Sequence, residues 1–334
     1  MQAKLIVTID TEEEGLWSGK FSGYDNPVDN LTGVPRFQAI CDRYGVKPTY
    51  LVDSPVVTNP EASAILEPIV DDGRCEIGCH IHPWNTPPEE DDTTSERSYL
   101  CNLPLALQRQ KLTTITNQIE SRFGRRPTSF RAGRYGMGDA GVGILRELGY
   151  IVDSSVCPYM DYSEDGGPDF RSAQWRPYFI DQKLLEPANR STGLLEVPVS
   201  FGFNWTNFDI AHRLDEFLSG PAVRRFRIKG ILERAGVLRK IKFSPEKASS
   251  GRLATLANAY MRQNAPCLVM MFHSSSLKAG YSPYVTNEAE LDRFLATIGE
   301  TLEYCLGQLG MCGDTLTGFA TEFVAEYDGF VLPA

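Results

Sequence analysis

The chain has 334 residues, of which 42% are hydrophobic and 23% charged, and its formal net charge is −10. These fractions exclude a largely disordered chain, and the acidic balance argues against nucleic acid as a partner. We expect a cytoplasmic protein, because the sequence contains no secretory segment, no apolar run long enough to span a bilayer and no close-spaced disulfide framework among its eight cysteines.

Short apolar runs alternate with longer helical stretches along the whole chain, as expected for βα units around a parallel sheet. The predicted strands are 5–10, 48–53, 75–82, 128–132, 150–154, 194–200 and 267–274. The predicted helices include 60–70, 105–123, 140–148, 251–263 and 288–309. The strand count is that of a barrel, and the active sites of such barrels lie at the carboxyl ends of the strands.

We expect one domain over residues 1–334 with two insertions. The segment 83–103 is predicted to be a surface loop that leaves the carboxyl end of a strand, and it includes the acids Glu89, Glu90, Asp91 and Asp92. A helical insertion is predicted at about 205–245. Within 223–242 it contains one acid, Glu233, and eight cations: Arg224, Arg225, Arg227, Lys229, Arg234, Arg239, Lys240 and Lys242.

The predicted strand 75–82 presents two histidines on one face. Side chains alternate along a strand, so His80 and His82 point the same way, while Cys75 and Cys79 belong to the apolar opposite face. A single histidine is more often a packing residue, but two at this spacing place two nitrogen ligands within reach of one ion. We interpret the cysteines as core residues rather than thiolate ligands.

The first and last predicted strands bring further candidates to the same rim. Ile6, Thr8, Asp10 and Glu12 share one face of the first strand, so carboxylates can join the histidines. A solvated acidic turn or a helix N-terminus is the alternative for this segment. The last strand delivers His273, whereas His212 is predicted to be an ordinary surface or capping residue.

These segments, in this order, resemble the motifs of the polysaccharide deacetylase superfamily, also called the NodB-homology fold, and look closest to its WalW-like branch. The first motif, usually Thr-Phe-Asp-Asp-Gly, corresponds to residues 8–12, and the histidine motif corresponds to 76–84. Residues 130–136 are similar to the Arg-Pro-Pro-Tyr-Gly motif. The segments 153–155 and 272–274 match the groove-wall motif and the last motif.

The resemblance implies an α/β fold with a single distorted (β/α)7 barrel of the NodB-homology type. It also implies that Asp10 is the general base, that Arg131 orients this base, that the backbone of Tyr135 helps bind the oxyanion, and that His273 protonates the leaving amine. Trp84, Arg134, Asp153 and Tyr284 are the candidate residues of the substrate groove.

Two departures concern the metal site. Thr11 occupies the position of a metal-binding aspartate, and the second histidine follows the first by two residues instead of four. One solution has Glu12, His80 and His82 as the ligands. In the other, Asp10 binds the ion and Glu12 or a metal-bound hydroxide is the base. The implied cofactor is a divalent metal, with zinc as the first choice and cobalt, manganese, nickel or iron as alternatives.

The expected activity is metal-dependent hydrolysis of an N-acyl group, acetyl or formyl, from an amino sugar or a glycan precursor, which would be lipid-linked, nucleotide-linked or free. The alternatives are a catalytically silent glycan-binding barrel and a hydrolase of another C–N amide bond. The basic run 223–242 is most simply a solvated helical face. The competing hypothesis is that it holds an anionic substrate or a membrane surface.

Overall fold

The structure is a computed structural model, and it describes residues 1–19, 21–23, 26–88, 93–189 and 191–330. The strands are β1 (Lys4–Thr11), β2 (Thr49–Val52), β3 (Glu76–Ile81), β4 (Ser129–Ala132), β5 (Val152–Asp153), β6 (Tyr178–Phe179), β7 (Leu195–Glu196), β8 (Phe201–Phe203), β9 (Lys240–Lys242), β10 (Cys267–His273) and β11 (Cys312–Asp314). The helices are α1 (Val34–Tyr44), α2 (Ser54–Thr58), α3 (Pro60–Asp71), α4 (Leu105–Phe123), α5 (Asp139–Leu148), α6 (Phe208–Ser219), α7 (Pro221–Arg224), α8 (Ile228–Arg234), α9 (Ser250–Arg262), α10 (Glu288–Glu303) and α11 (Leu316–Phe330).

The main sheet is predominantly parallel. Its order is β10-β1-β2-β3-β4-β5-β7-β6, with β11 also paired to β1, and among these pairs only β6 and β7 run antiparallel. The sheet curls on itself, because Ser200, shortly after β7, donates its backbone N–H to the carbonyl of Val269 in β10 (3.3 Å). This architecture confirms the α/β class and a barrel-like sheet.

A regular succession of seven βα units is not observed. Within the described residues, no α-helix lies between β5 and β7, and β6 occupies part of this connection instead. The connection contains several residues that disfavour a helix, among them Pro158, Gly166, Pro168 and Pro177. The predicted strand 194–200 is shorter in the structure, because β7 comprises only Leu195–Glu196 and β8 begins beyond the predicted range, at Phe201.

The two faces of β1 enter different parts of the core, as the alternation predicts. Leu5, Val7 and Ile9 pack outward beneath the helices, whereas Ile6 packs inside the curled sheet. Helix α11, which is not among the predicted elements, closes the amino end of the sheet. Its first turn bonds to the first residues of two strands, since the Leu316 N–H donates to the Thr49 hydroxyl (3.2 Å). The carboxyl ends of the strands are therefore the open end.

Strand register brings the candidate residues together at that open end. Asp10 of β1 is the register partner of His273 in β10, and His80 of β3 is the partner of Arg131 in β4. Cys79 is fully buried among outward-facing core residues, away from the histidine face.

Residues 204–239, between β8 and β9, form a segment that we call the basic arm. It contains α6, α7 and α8, and β8 and β9 pair antiparallel at its base. In the other predicted insertion, 83–103, the acids at 89–92 lie outside the described residues. In the part of the chain that the structure describes, no helix combines the length and apolar character needed to cross a bilayer.

Candidate active site

A cavity of about 1180 Å³ opens at the carboxyl end of the sheet. The predicted catalytic and metal-ligating side chains of Asp10, Glu12, His80, His82 and His273 line its floor. One wall is cationic and comes from the basic arm and the segment after it. The cations on that side are Arg234, Arg239, Lys240, Lys242, Lys247 and Arg252.

Glu12, His80 and His82 form a compact set of ligand atoms. Glu12 Oε2 lies 3.1 Å from His80 Nε2 and 3.2 Å from His82 Nε2, and the two Nε2 atoms are 3.2 Å apart. A tetrahedral ion with bonds of about 2.0–2.1 Å requires its ligands to be about 3.3 Å apart. The three atoms therefore fit around one divalent ion, and all three side chains are buried.

The hydrogen bonding around this set also suits a cation. His82 Nδ1 lies 2.7 Å from Glu13 Oε2, so in a neutral ring the proton is on Nδ1 and the lone pair of Nε2 faces the Glu12 carboxylate. Burial alone would lower the pKa of His82, but Glu13 and Glu12 outweigh it and raise the pKa well above its ordinary value. The negative potential that retains this proton equally attracts a metal ion.

Glu13 is the residue that orients His82. One carboxylate oxygen faces His82 Nδ1, and the other accepts the indole N–H of Trp84 (2.7 Å). The Trp84 ring stacks on the His82 ring with centroids 4.2 Å apart. Trp84 thus lines the cavity and also fixes the plane of a candidate ligand.

Glu13→Gln should lower metal affinity by about 10–100-fold without unfolding the protein, because it removes the charge that orients and polarises His82. Competition against a chromogenic chelator would measure the change. Glu14→Gln is the matched control, since half-buried Glu14 contacts the backbone of Asn30 (2.8 Å) and not a candidate ligand. Equal affinities for Glu13→Gln and the unmodified chain would contradict this role.

Asp10 is held as an anion by Arg131. Its Oδ1 accepts a hydrogen bond from Arg131 Nη1 (2.6 Å), and Arg131 is fully buried. Burial would raise the pKa of Asp10, but Arg131, with smaller contributions from His80 and His273, lowers it far below its ordinary range. Arg131 is itself fixed by Thr8 Oγ1 (3.0 Å) and by the backbone and hydroxyl oxygens of Ser154 (2.8 and 2.9 Å).

His273 faces the metal-ligand set from β10 and is held by Glu246. Both oxygens of Glu246 lie 3.1 Å from His273 Nδ1, and one of them also accepts the hydroxyl of Ser276 (2.6 Å). Burial opposes the charged ring, but Glu246 and Glu12 raise the pKa of His273 to about 9. The imidazolium is therefore available as a proton donor, with Nε2 directed toward Glu12 (3.9 Å).

Two solved structures share this architecture. A provisionally assigned polysaccharide deacetylase from Mycobacterium smegmatis has a TM-score of 0.54 at 17% sequence identity, over 97% of this chain and 91% of that chain. A provisionally assigned glycoside hydrolase/deacetylase from Parabacteroides distasonis has a TM-score of 0.59 at 12% identity, over 98% of this chain and 72% of that chain. The fold is that of the polysaccharide deacetylases. No family model and no curated protein matches the sequence.

The turn after β4 carries Tyr135 to the cavity wall. Arg134 and Tyr135 both have left-handed backbone angles, with φ of 53° and 59°, which are uncommon for residues other than glycine. The turn lies against His82 so closely that a Cβ on Gly133 would come within 2.1 Å of the His82 ring. Tyr135 Oη accepts a hydrogen bond from Lys242 Nζ (2.9 Å), which links this wall to the base of the basic arm.

The predicted groove residues divide into two groups. Trp84, Arg134 and Tyr284 line the cavity, with Arg134 stacked on Tyr99 at 4.1 Å. Asp153 does not line the cavity, contrary to the prediction. It is fully buried on β5, receives the Ser155 hydroxyl and lies opposite Glu196 of β7. The segment 153–155 supports the strands beneath the groove and does not form its surface.

Asp153 and Glu196 form a buried carboxyl pair with a consequence for stability. Burial raises the pKa of Asp153 to about 6 and that of Glu196 well above its ordinary value. Below the ordinary carboxyl pKa of about 4, both groups are protonated in the folded and unfolded chains. As pH rises above that, the unfolded chain releases its protons first, so stability decreases until the folded pKa values are passed.

Glu196→Gln should therefore melt at a higher temperature than the unmodified chain, and this difference should grow as pH increases from about 5 to about 8. At the upper end the free energy of unfolding should be higher by roughly 1–3 kcal/mol. Thermal unfolding of both proteins at several pH values in this range would measure the difference. Glu186→Gln, an exposed partner of Lys183, should show no such pH-dependent difference. A melting-temperature difference between Glu196→Gln and the unmodified chain that does not change with pH would argue against the raised pKa values of this pair.

Sequence reasoning missed Glu13 and Glu246, the partners of the histidines, and it named Lys242 only as one cation of the basic run. Glu13 follows the end of β1, where strand alternation no longer predicts direction. Glu246 follows β9, far from His273 along the chain. The acidic run 12–14 was a usable signal for Glu13, but nothing local in the sequence singles out Glu246.

Proposed function

We propose that this chain hydrolyses the N-acyl amide of an amino sugar, with the candidate active site as its catalytic centre. The observation that carries the proposal is that an Arg131-held carboxylate and a Glu246-held imidazole flank the metal-ligand atoms of Glu12, His80 and His82 at the floor of an open cavity. An amide requires help at both ends, because its carbonyl is a poor electrophile and its amine a poor leaving group. This arrangement offers one group that can assist attack on the carbonyl and another that can protonate the amine.

Glu12, His80 and His82 would hold a divalent ion, for which zinc suits the mixed nitrogen and oxygen donors. When bound, such an ion polarises a carbonyl and lowers the pKa of coordinated water toward about 7. Of the two ligand sets that the sequence left open, the geometry favours this one. Glu12 Oε2 approaches both histidine nitrogens, whereas Asp10 is committed to Arg131.

Asp10 would accept the proton of the attacking water. Its low pKa keeps it ionised, and the fixed guanidinium of Arg131 keeps the carboxylate directed into the cavity. Arg131 acts here as a positioning residue, because its side chain is fully buried and bonded to Asp10, Thr8 and Ser154.

His273 would donate a proton to the departing nitrogen. Glu246 holds the Nδ1 side of the ring, so Nε2 is the atom that faces the cavity floor. The turn that carries Tyr135 stands across the cavity, where backbone donors can meet the oxygen that develops negative charge.

The proposed substrate is a glycan precursor rather than a finished polymer, and it is lipid-linked, nucleotide-linked or free. The cationic wall of the cavity supports a phosphate-bearing substrate. A cytoplasmic location is part of the proposal and is supported by the eight unpaired cysteines, since reducing compartments keep thiols free. The seven-unit barrel count and the WalW-like branch remain predictions of the sequence.

The experiment is amine release from a panel of N-acetyl and N-formyl amino sugars, with the protein stripped of metal and then reloaded with zinc, cobalt, manganese, nickel or iron. The proposal expects turnover only after reloading. Sugar binding without amine release under every metal condition would instead identify a silent glycan-binding barrel and would reject the hydrolase.

A further inference from the structure

The basic arm carries most of the large apolar side chains that the described residues expose. Phe217 of α6 is 66% exposed and Ile231 of α8 is 63% exposed. Among nine exposed large apolar residues in the described part of the chain, six belong to the arm, and these are Ile210, Phe217, Phe226, Ile228, Ile231 and Val237. Exposed apolar residues without a function are normally scattered singly over a protein surface. The concentration of six in one segment therefore indicates a contact surface.

The basic arm also carries exposed positive charge in a chain whose net charge is −10. Arg225, Arg227 and Arg234 are exposed, and none forms an ion pair with an acidic side chain within the described residues. Lys229, in contrast, is neutralised by Asp215 (2.8 Å). The side chain of Arg224 lies outside the described residues. Glu233 is the single acid between positions 220 and 239.

This combination suits an anionic membrane surface. Exposed phenylalanine and isoleucine enter the boundary between headgroups and acyl chains, and the neighbouring arginines attract anionic lipids. A second copy of the chain is a poorer occupant, because a two-fold interface would place two arms of the same charge against each other.

The arm also forms part of the cavity wall. Gly230 and Arg234 of α8 line the cavity that contains Asp10 and His273, and Lys240 and Lys242 continue this wall at the base of the arm. A membrane that binds the arm would therefore lie beside the cavity mouth. A sugar linked to a lipid would reach the floor without leaving the surface.

We propose that the basic arm docks the protein on anionic membranes, through Phe217, Phe226 and Ile231 together with Arg225 and Arg227, and presents the cavity to sugars carried at the membrane surface. The docking itself does not depend on the proposed function. The statement about the substrate does rest on it.

The first test is co-flotation of the full chain with vesicles of phosphatidylcholine, either alone or with phosphatidylglycerol. The unmodified chain should bind only the anionic vesicles and should be released by salt. Phe226→Ser/Ile231→Ser, and separately Phe217→Ser, should weaken this binding by about tenfold or more. Arg225→Gln/Arg227→Gln should weaken it by about tenfold or more at low salt and reduce its salt dependence.

Matched controls come from helices outside the basic arm. Leu105→Ser removes a 52% exposed apolar side chain from α4, and Arg293→Gln removes an exposed arginine from α10, so both should bind like the unmodified chain. Far-ultraviolet circular dichroism would verify that each variant is folded. Arm variants that bind like these controls would overturn the proposal.

Two other outcomes would also overturn it. One is equal binding to neutral and anionic vesicles, or to neither. The other is a dimer in sedimentation experiments that dissociates in Phe226→Ser/Ile231→Ser without any vesicle binding, because the surface would then belong to a second copy.

The substrate statement is tested separately, by comparing a free N-acyl sugar with the same sugar on a lipid anchor in anionic vesicles. Arm variants should lower turnover of the anchored sugar by about tenfold or more and leave the free sugar unaffected. Equal effects on both sugars would reject surface presentation. Vesicle binding without hydrolysis of either sugar would reject the proposed function and leave the docking established.

Discussion

Asp10→Asn should lower turnover by about 10²–10⁴-fold while the protein remains folded and binds metal. The amide cannot accept the proton of the attacking water, although its oxygen can still receive the Arg131 hydrogen bond (2.6 Å in the unmodified chain). Arg131 also keeps its bonds to Thr8 and Ser154, which limits the loss of stability. Single-turnover rates, metal content and the melting temperature would be measured together.

Asp181→Asn is the matched control, because it makes the same chemical change at an exposed ion pair with Arg146 (3.2 Å). It should turn over normally. If Asp10→Asn retains a near-normal rate, the general base is another group, and Glu12 would be the next candidate.

His273→Ala separates the two halves of the same reaction. Its turnover of an amide should fall by a similar factor, since the amine would have to depart without a proton. On an acetyl ester with a phenolate leaving group, which departs without protonation, the loss should be much smaller. Asp10→Asn should remain slow on both substrates, and a uniform loss for His273→Ala would contradict the proton-donor role.

His80→Ala and His82→Ala should each lose tightly bound metal and, with it, at least about 10²-fold in turnover. Each removes one of the three atoms that lie within 3.2 Å of one another, and two ligands cannot hold an ion against a chelator. Elemental analysis after gel filtration would count the metal. A chelator should likewise abolish the activity of the unmodified chain, and reloading should restore it.

Two controls make this result specific. His212→Ala removes a histidine that lies on α6 against Tyr159, outside the cavity, and Cys79→Ser tests a thiol whose pKa is raised to about 12 by burial. Both should retain a full equivalent of metal. A full equivalent in both His80→Ala and His82→Ala would show that the ion binds elsewhere.

The sequence by itself determined the strand faces and the end of the sheet that bears the site. Alternation along 75–82 placed His80 and His82 together and Cys79 in the core, because the period of two is a local property of an extended backbone. The first and last residues of the helix 105–123 were also predictable from the local sequence, and this helix coincides with α4.

The tertiary structure decided which side chains meet across strands. Asp153 was expected on the groove from its place in a motif, yet the pairing of β5 with β7 buries it against Glu196. Only distances favour Glu12 over Asp10 as the metal ligand. The sequence could not distinguish them, because alternation places both carboxylates on the same face of the first strand.

Glu246 is the clearest example of a site residue that the sequence alone does not predict. It reaches His273 only because β9 and β10 come together in the folded chain, with the Met271 N–H donating to the Phe243 carbonyl (3.2 Å). The spacing of apolar and polar residues encodes the direction of a side chain relative to its own strand. The register and curl of the sheet, and the loops beyond the strand ends, set distances between strands, and these depend on packing of the whole chain.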